Sequence, residues 1–154
     1  MAFRVLTVCL GNICRSPVAE EAIRAAAERA GIEIEVDSAG TGSWHVGQRP
    51  HEGSRKASAA VGLELKSRAR VISPEDFDRF DLILAMDRAN LEDLLLLSPS
   101  SSKKIRLLME FDPDSLYDEV PDPYYGTQED FERMVELILP AAEGVIEAIE
   151  QGKV

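Results

Sequence analysis

At 154 residues, 45% apolar and 29% charged, the chain is long enough for one domain with a proper core and too short to expect two. A formal net charge of −11 leaves no basic stripe to neutralise nucleic acid, and any attraction for a phosphorylated ligand must act at short range. No apolar run has the length of a membrane span, residues 1–4 lead into strand-like sequence without a signal-peptide pattern, and two cysteines five apart offer no disulfide framework; the expectation is a cytoplasmic monomer with no membrane or nucleic-acid partner.

The first element is a short buried strand over residues 3–8, β-branched and apolar. A helix over residues 17–30 follows, with Ser16 as its N-cap, Pro17 in the first position and Gly31 as its C-cap. Between strand and helix lie Cys9, Leu10, Gly11, Asn12, Ile13, Cys14 and Arg15. Strand, loop and helix in this order aim free N–H groups into one concavity suited to an oxyanion. The helix end and Arg15 favour the Cys9 thiolate, a nucleophile able to attack phosphorus. Arg15 carries a planar fork that holds two phosphate oxygens at once. Gly11 and Asn12 tolerate left-handed backbone angles, and Ser16 offers a hydroxyl to the Cys9 sulfur.

Residues 32–36 alternate apolar with acidic side chains, as a half-exposed strand near a sheet edge does, and deliver Asp37 and Ser38 beside the loop. Gly40, Gly42 and Gly47 around Trp44 and His45 mark a turn-rich segment. A helix is predicted over residues 51–61, a helical turn after Ser73-Pro74-Glu75-Asp76, and a third buried strand over residues 81–86. Asp87 caps a helix to Leu97, residues 98–102 form a loop, and residues 104–108 form a fourth strand. Residues 112–126, with three prolines and many acids, read as irregular; Thr127 caps a final helix to about residue 151, which Pro140 should kink or break. Strands alternating with helices imply a mainly parallel four-stranded α/β sheet covered on both faces, with ligands at the carboxyl ends of the strands. Cys9, Ser38 and Asp87 would all border that crevice.

Cys-x5-Arg-Ser at the first strand-to-helix turn resembles the signature of protein tyrosine phosphatases, and CLGNICRSP near the N-terminus resembles that of the low-molecular-weight class. DSAGTGSWHVG at residues 37–47, AMD at residues 85–87 and DPYYG at residues 122–126 are similar to further segments of that family in the same order, so the likeness covers essentially the whole chain. The resemblance implies a phosphotyrosine phosphatase acting through a cysteinyl-phosphate, with Cys9 as nucleophile, residues 10–16 as phosphate cradle and Asp122 as general acid and base. It implies Cys14 as a backup thiol able to close a disulfide with Cys9, the alternative being a packing residue. Trp44 and Tyr124 would wall a pocket for a phenyl ring with Ile13 at its floor, or else anchor surface loops. Tyr124 and Tyr125 resemble positions phosphorylated in some members. Ser38 and Asp87 read as supports, Asp87 mainly as a helix cap. A histidine that helps hold the loop in vertebrate members is replaced by Ser67, which puts that support in doubt.

Expected partners are a phosphotyrosine protein as substrate and inorganic phosphate as product and competitor, with no cofactor and no metal. A zinc site from Cys9, Cys14, His45 and His51 lacks zinc-motif spacing and would face a guanidinium; a nucleotide loop lacks the GK[ST] ending. Rival readings are a protein-arginine phosphatase, whose similar loop has Thr in place of Ile13, and a thiol-based arsenate reductase, which needs cysteines beyond Cys14. A non-catalytic phosphoprotein-binding module is the rival from another class.

Overall fold

The structure, a computed structural model, describes residues 2–154. Four parallel strands, β1 (Phe3–Cys9), β2 (Ile34–Gly40), β3 (Leu82–Ala85) and β4 (Ile105–Leu107), pair in the order β2-β1-β3-β4. Five helices, α1 (Ser16–Ala30), α2 (Glu52–Ala59), α3 (Pro74–Arg79), α4 (Arg88–Leu97) and α5 (Gln128–Glu150), cover the sheet. The period-two alternation of side chains divides the core between the two faces. Val5, Leu82 and Leu84 pack with Val18, Ile23, Met134 and Ile138 of α1 and α5. Leu6, Val8, Ile83 and Ala85 point the other way, onto Phe77 of α3, Phe80 at its end and Leu94 of α4. This is the α/β arrangement that the alternation of strand and helix patterns implies.

The register places the site. Cys9 pairs with Gly40 and Val8 with Ala85, so β1, β2 and β3 end level with one another at their carboxyl ends. Gly40 permits this closeness, because a Cβ there would stand 2.8 Å from the Leu10 carbonyl oxygen.

Several boundaries differ from expectation for physical reasons. β2 runs on past residue 36, since its pairing with β1 continues as far as Cys9. Residues 99–104 form a 3-10 helix where a loop was expected. The N-cap of α1 is Arg15, not Ser16, and no side chain caps it; Ser16 is the first helical residue and turns its hydroxyl to the loop instead. Pro140 does not break α5: it sits on the exposed face, where the carbonyl left without its helical N–H partner meets water, while Ile138, Ala141 and Ala142 on the other face stay packed. Residues 112–126 hold no regular element, as predicted.

Candidate active site

The loop between β1 and α1 is fixed by its carbonyl groups. The Cys9 and Leu10 carbonyls accept from the N–H groups of Thr41 and Gly42, at 3.0 and 2.8 Å, and the Ile13 carbonyl accepts from the His51 N–H at 2.8 Å. The Ser54 hydroxyl donates to the Cys14 carbonyl, also at 2.8 Å. These bonds turn the four carbonyl oxygens toward neighbouring segments, an arrangement that suits a loop offering its N–H groups to an oxyanion. Asn12 makes the tightest bend, at φ 57°, and is the one non-glycine with positive φ among the described residues. Gly11 is not left-handed, contrary to the sequence expectation; a Cβ there would lie 2.9 Å from the His45 ring, which would have to shift to admit it.

A directed chain of hydrogen bonds ends on the Cys9 sulfur. The Arg70 N–H donates to Asn12 Oδ1 at 3.0 Å, which fixes the orientation of the amide. Asn12 Nδ2 therefore donates both its protons, to Ser16 Oγ at 2.8 Å and Ser38 Oγ at 3.0 Å. The Ser38 hydroxyl in turn donates to the Glu20 carboxylate at 2.6 Å. Having accepted from Asn12, the Ser16 hydroxyl is left to donate to Cys9 Sγ at 3.1 Å, and the Asn12 N–H donates to the same sulfur at 3.3 Å. Burial pushes the Glu20 carboxyl above its usual range, while the hydrogen bonds from Ser38 and Arg24 pull it back. Ser67 takes no part: its buried Oγ has no partner, and the Arg70 backbone holds Asn12 without it.

Arg15 is 2% exposed. Its Nη1 donates to Asp87 Oδ2 at 2.7 Å and to the Val120 carbonyl at 2.9 Å, so one edge of the guanidinium is spent on the scaffold. Nη2 lies 3.7 Å from Asp122 Oδ2, and Nε, though buried, has no partner. Burial opposes the charge, but Cys9 and Asp87, with Asp122, outweigh it and raise the affinity of Arg15 for its proton. Asp87 does two jobs, since Oδ1 accepts from the Asn90 N–H as the cap of α4 while Oδ2 holds Arg15.

Above the loop opens a cleft of about 410 Å³ lined by Cys9, Ile13, Arg15, Asp122 and the rings of Trp44, His45, Tyr124 and Tyr125. The candidate floor and walls therefore come together, although Trp44 is 71% exposed and lies against Gly42. Asp122 is bounded by Pro121 and Pro123, and its Oδ1 accepts from the Tyr124 N–H at 3.1 Å. Cys14 is buried within the loop, its thiol pushed up to about 12 by burial first and then by Cys9 and Asp122; both cysteines are free. Among the described residues no three His, Cys, Asp or Glu side chains gather as a metal site.

Sequence reasoning did not assign site roles to Glu20, His45, His51 or Arg70. Only Glu20 left a local trace, an acid one helical turn beyond Ser16 on a face otherwise filled by alanine and isoleucine.

A sequence profile of the family described as low molecular weight phosphotyrosine protein phosphatase matches residues 4–154. The low molecular weight protein-tyrosine-phosphatase of Streptomyces coelicolor is 40% identical over 157 residues, covering 98% of this chain and 96% of that protein. YfkJ of Bacillus subtilis, which bears the same description, is 40% identical over 153 residues, covering 97% of each. Among solved structures, a protein tyrosine phosphatase from Entamoeba histolytica with Hepes in its active site superposes with a TM-score of 0.97 at 37% identity, covering 99% of this chain and 100% of that one. The crystal structure of YfkJ gives 0.93 at 39% identity, covering 100% and 98%. With a profile spanning nearly every residue and relatives matched end to end, the chain belongs to the low molecular weight phosphotyrosine protein phosphatase family.

Proposed function

We propose that this chain hydrolyses phosphotyrosine and related aryl phosphate monoesters through a cysteinyl-phosphate. The observation that carries the reading is the pairing, within one loop, of a sulfur that accepts two hydrogen bonds with a buried guanidinium whose Nε has no partner. A phosphoryl group seated on the loop amides meets both. Cys9 Sγ attacks phosphorus, the P–S bond forms as the P–O bond to the phenol breaks, and Asp122 gives its proton to the departing oxygen. Arg15 and the loop amides hold the charge on the transferring oxygens. Water then attacks phosphorus, Asp122 takes its proton, and the sulfur leaves as thiolate, eased by the Ser16 hydroxyl. Inorganic phosphate is the product and competes for the cradle.

The aryl ring lies between Trp44 and Tyr124 over Ile13, and this aromatic lining favours phosphotyrosine over phosphoarginine. An arsenate reductase relay has no residues to run through, since no cysteine follows Cys14. We assign the chain a single catalytic domain acting as a cytoplasmic, metal-independent monomer on phosphotyrosine proteins. The test is acid quenching during turnover of ³²P-labelled phosphotyrosine peptide. Label should be trapped on the peptide containing Cys9, and Cys9→Ser should trap none and release no phosphate while remaining folded. Phosphate release by Cys9→Ser would remove the covalent route, and no release by the parent would leave a binding module.

A further inference from the structure

Three rings close on Tyr124. His45 lies 5.7 Å away between centroids, tilted by 46°, Tyr125 stands edge-on at 4.7 Å, and His51 stands edge-on at 5.7 Å. Tyr125 is 96% exposed, and His45 sits in the turn-rich loop, so neither is anchored in the core. His51 is. It stacks at 4.7 Å and 21° on Phe131, a buried residue of α5. Its backbone N–H donates to the Ile13 carbonyl, and its Nδ1 accepts from the Gly53 N–H at 2.9 Å as the N-cap of α2. The Gln128 amide donates to the Gly53 carbonyl at 3.1 Å, and a Cβ on Gly53 would come within 2.6 Å of the Phe131 ring. The His51 ring is thus clamped between the start of α5 and Tyr124, yet it does not line the cleft and no step of the chemistry uses it.

We propose that His51 is a positioning residue for the aryl slot: its ring transmits the fixed position of Phe131 to Tyr124 and so sets the wall against which an aromatic phosphoester packs. The proposal rests on the reading of Tyr124 as that wall. It makes the ring of His51 the determinant of aryl selection, separate from its capping nitrogen and from the backbone bond to Ile13, which both substitutions below retain.

Two substitutions separate these roles. His51→Phe keeps a ring but loses the capping acceptor; His51→Asn restores a good cap but removes the ring. Inhibition constants are measured for benzylphosphonate, which has an aryl group, and for inorganic phosphate, which has none. His51→Asn should weaken benzylphosphonate by about 3- to 10-fold, as expected for loss of an aromatic contact, with phosphate unchanged. His51→Phe should leave both constants unchanged and lower the melting temperature through the lost cap. Weakening by His51→Phe, no weakening by His51→Asn, or a parallel loss of phosphate affinity would overturn the proposal. Tyr124→Ala is the control: if it leaves benzylphosphonate binding intact, the wall reading is what fails. The Tyr124 ring-proton shifts then decide the clamp alone, and equal shifts in parent and His51→Asn would refute it.

Discussion

Asp122 is held at the mouth of the cleft by two flanking prolines and the Tyr124 N–H, with one oxygen near Arg15. A proton donor in that place matters most when the leaving oxygen is basic. Asp122→Ala should slow phosphoenzyme formation from phosphotyrosine peptides by ~10²–10⁴-fold, and much less for p-nitrophenyl phosphate, in single-turnover measurements. Equal losses on both substrates would move the donor elsewhere. Cys14 gives a prediction of a different kind. Its thiol stays protonated in the fold up to about 12, whereas an unfolded chain ionises it near the ordinary thiol value. The unfolded state then binds fewer protons, so this group's contribution to stability is intact below about 9 and declines as the pH rises from there toward 12. Denaturant titrations of Cys14→Ala should show a shallower fall over that window than the parent. The loop residues were legible because their signals are adjacent in sequence: a strand, Cys-x5-Arg, then Ser-Pro. Glu20, Arg70 and His51 were not, since each reaches its partner across a fold-dependent distance, Arg70 to Asn12 over 58 positions and Glu20 to Ser38 over 18.

The elements were legible to within a few residues wherever periodicity or capping chemistry acted locally. Asp87 and Thr127 each open a helix with the reciprocal side-chain and backbone bonds of a capping box, and the Ser73 N–H is capped by the Asp76 carboxylate. Where tertiary contacts decide, sequence was silent: β2 extends because β1 pairs with it, and Pro140 is tolerated because its face is wet. The abutment of β2 on the loop between β1 and α1 yields a pair of contrasting substitutions. A Cβ at Gly40 would press on the backbone of Leu10 and Asn12, at 2.8 and 3.2 Å, while one at Gly11 would press on the His45 side chain. Backbone cannot step aside as a ring can. Gly40→Ala should therefore displace the cradle and lower kcat by about 10²-fold, with weakened phosphate binding by calorimetry. Gly11→Ala should spare kcat and show its effect in the affinity for aryl ligands.

Across the whole molecule a net charge of −11 surrounds a cradle whose one cation, Arg15, is already paired with Asp87. Long-range repulsion is screened by salt, whereas the contacts of Arg15 and the amides are not. Stopped-flow values of kcat/KM for a small dianionic aryl phosphate should accordingly rise with ionic strength, and those for a phosphopeptide of net positive charge should fall; identical trends would show that the global field plays no part. The outward-bonded carbonyls of residues 9, 10, 13 and 14 have a further thermodynamic meaning. The loop's conformational entropy is surrendered when the chain folds, so an incoming oxyanion orders little that is not already ordered. Occupancy then feeds back on the fold by mass action alone, and phosphate at 100 times its dissociation constant should add about 2.7 kcal/mol to the unfolding free energy. On the proposed function, saturating phosphate would both inhibit turnover and, by the same contacts, protect the chain from unfolding and proteolysis.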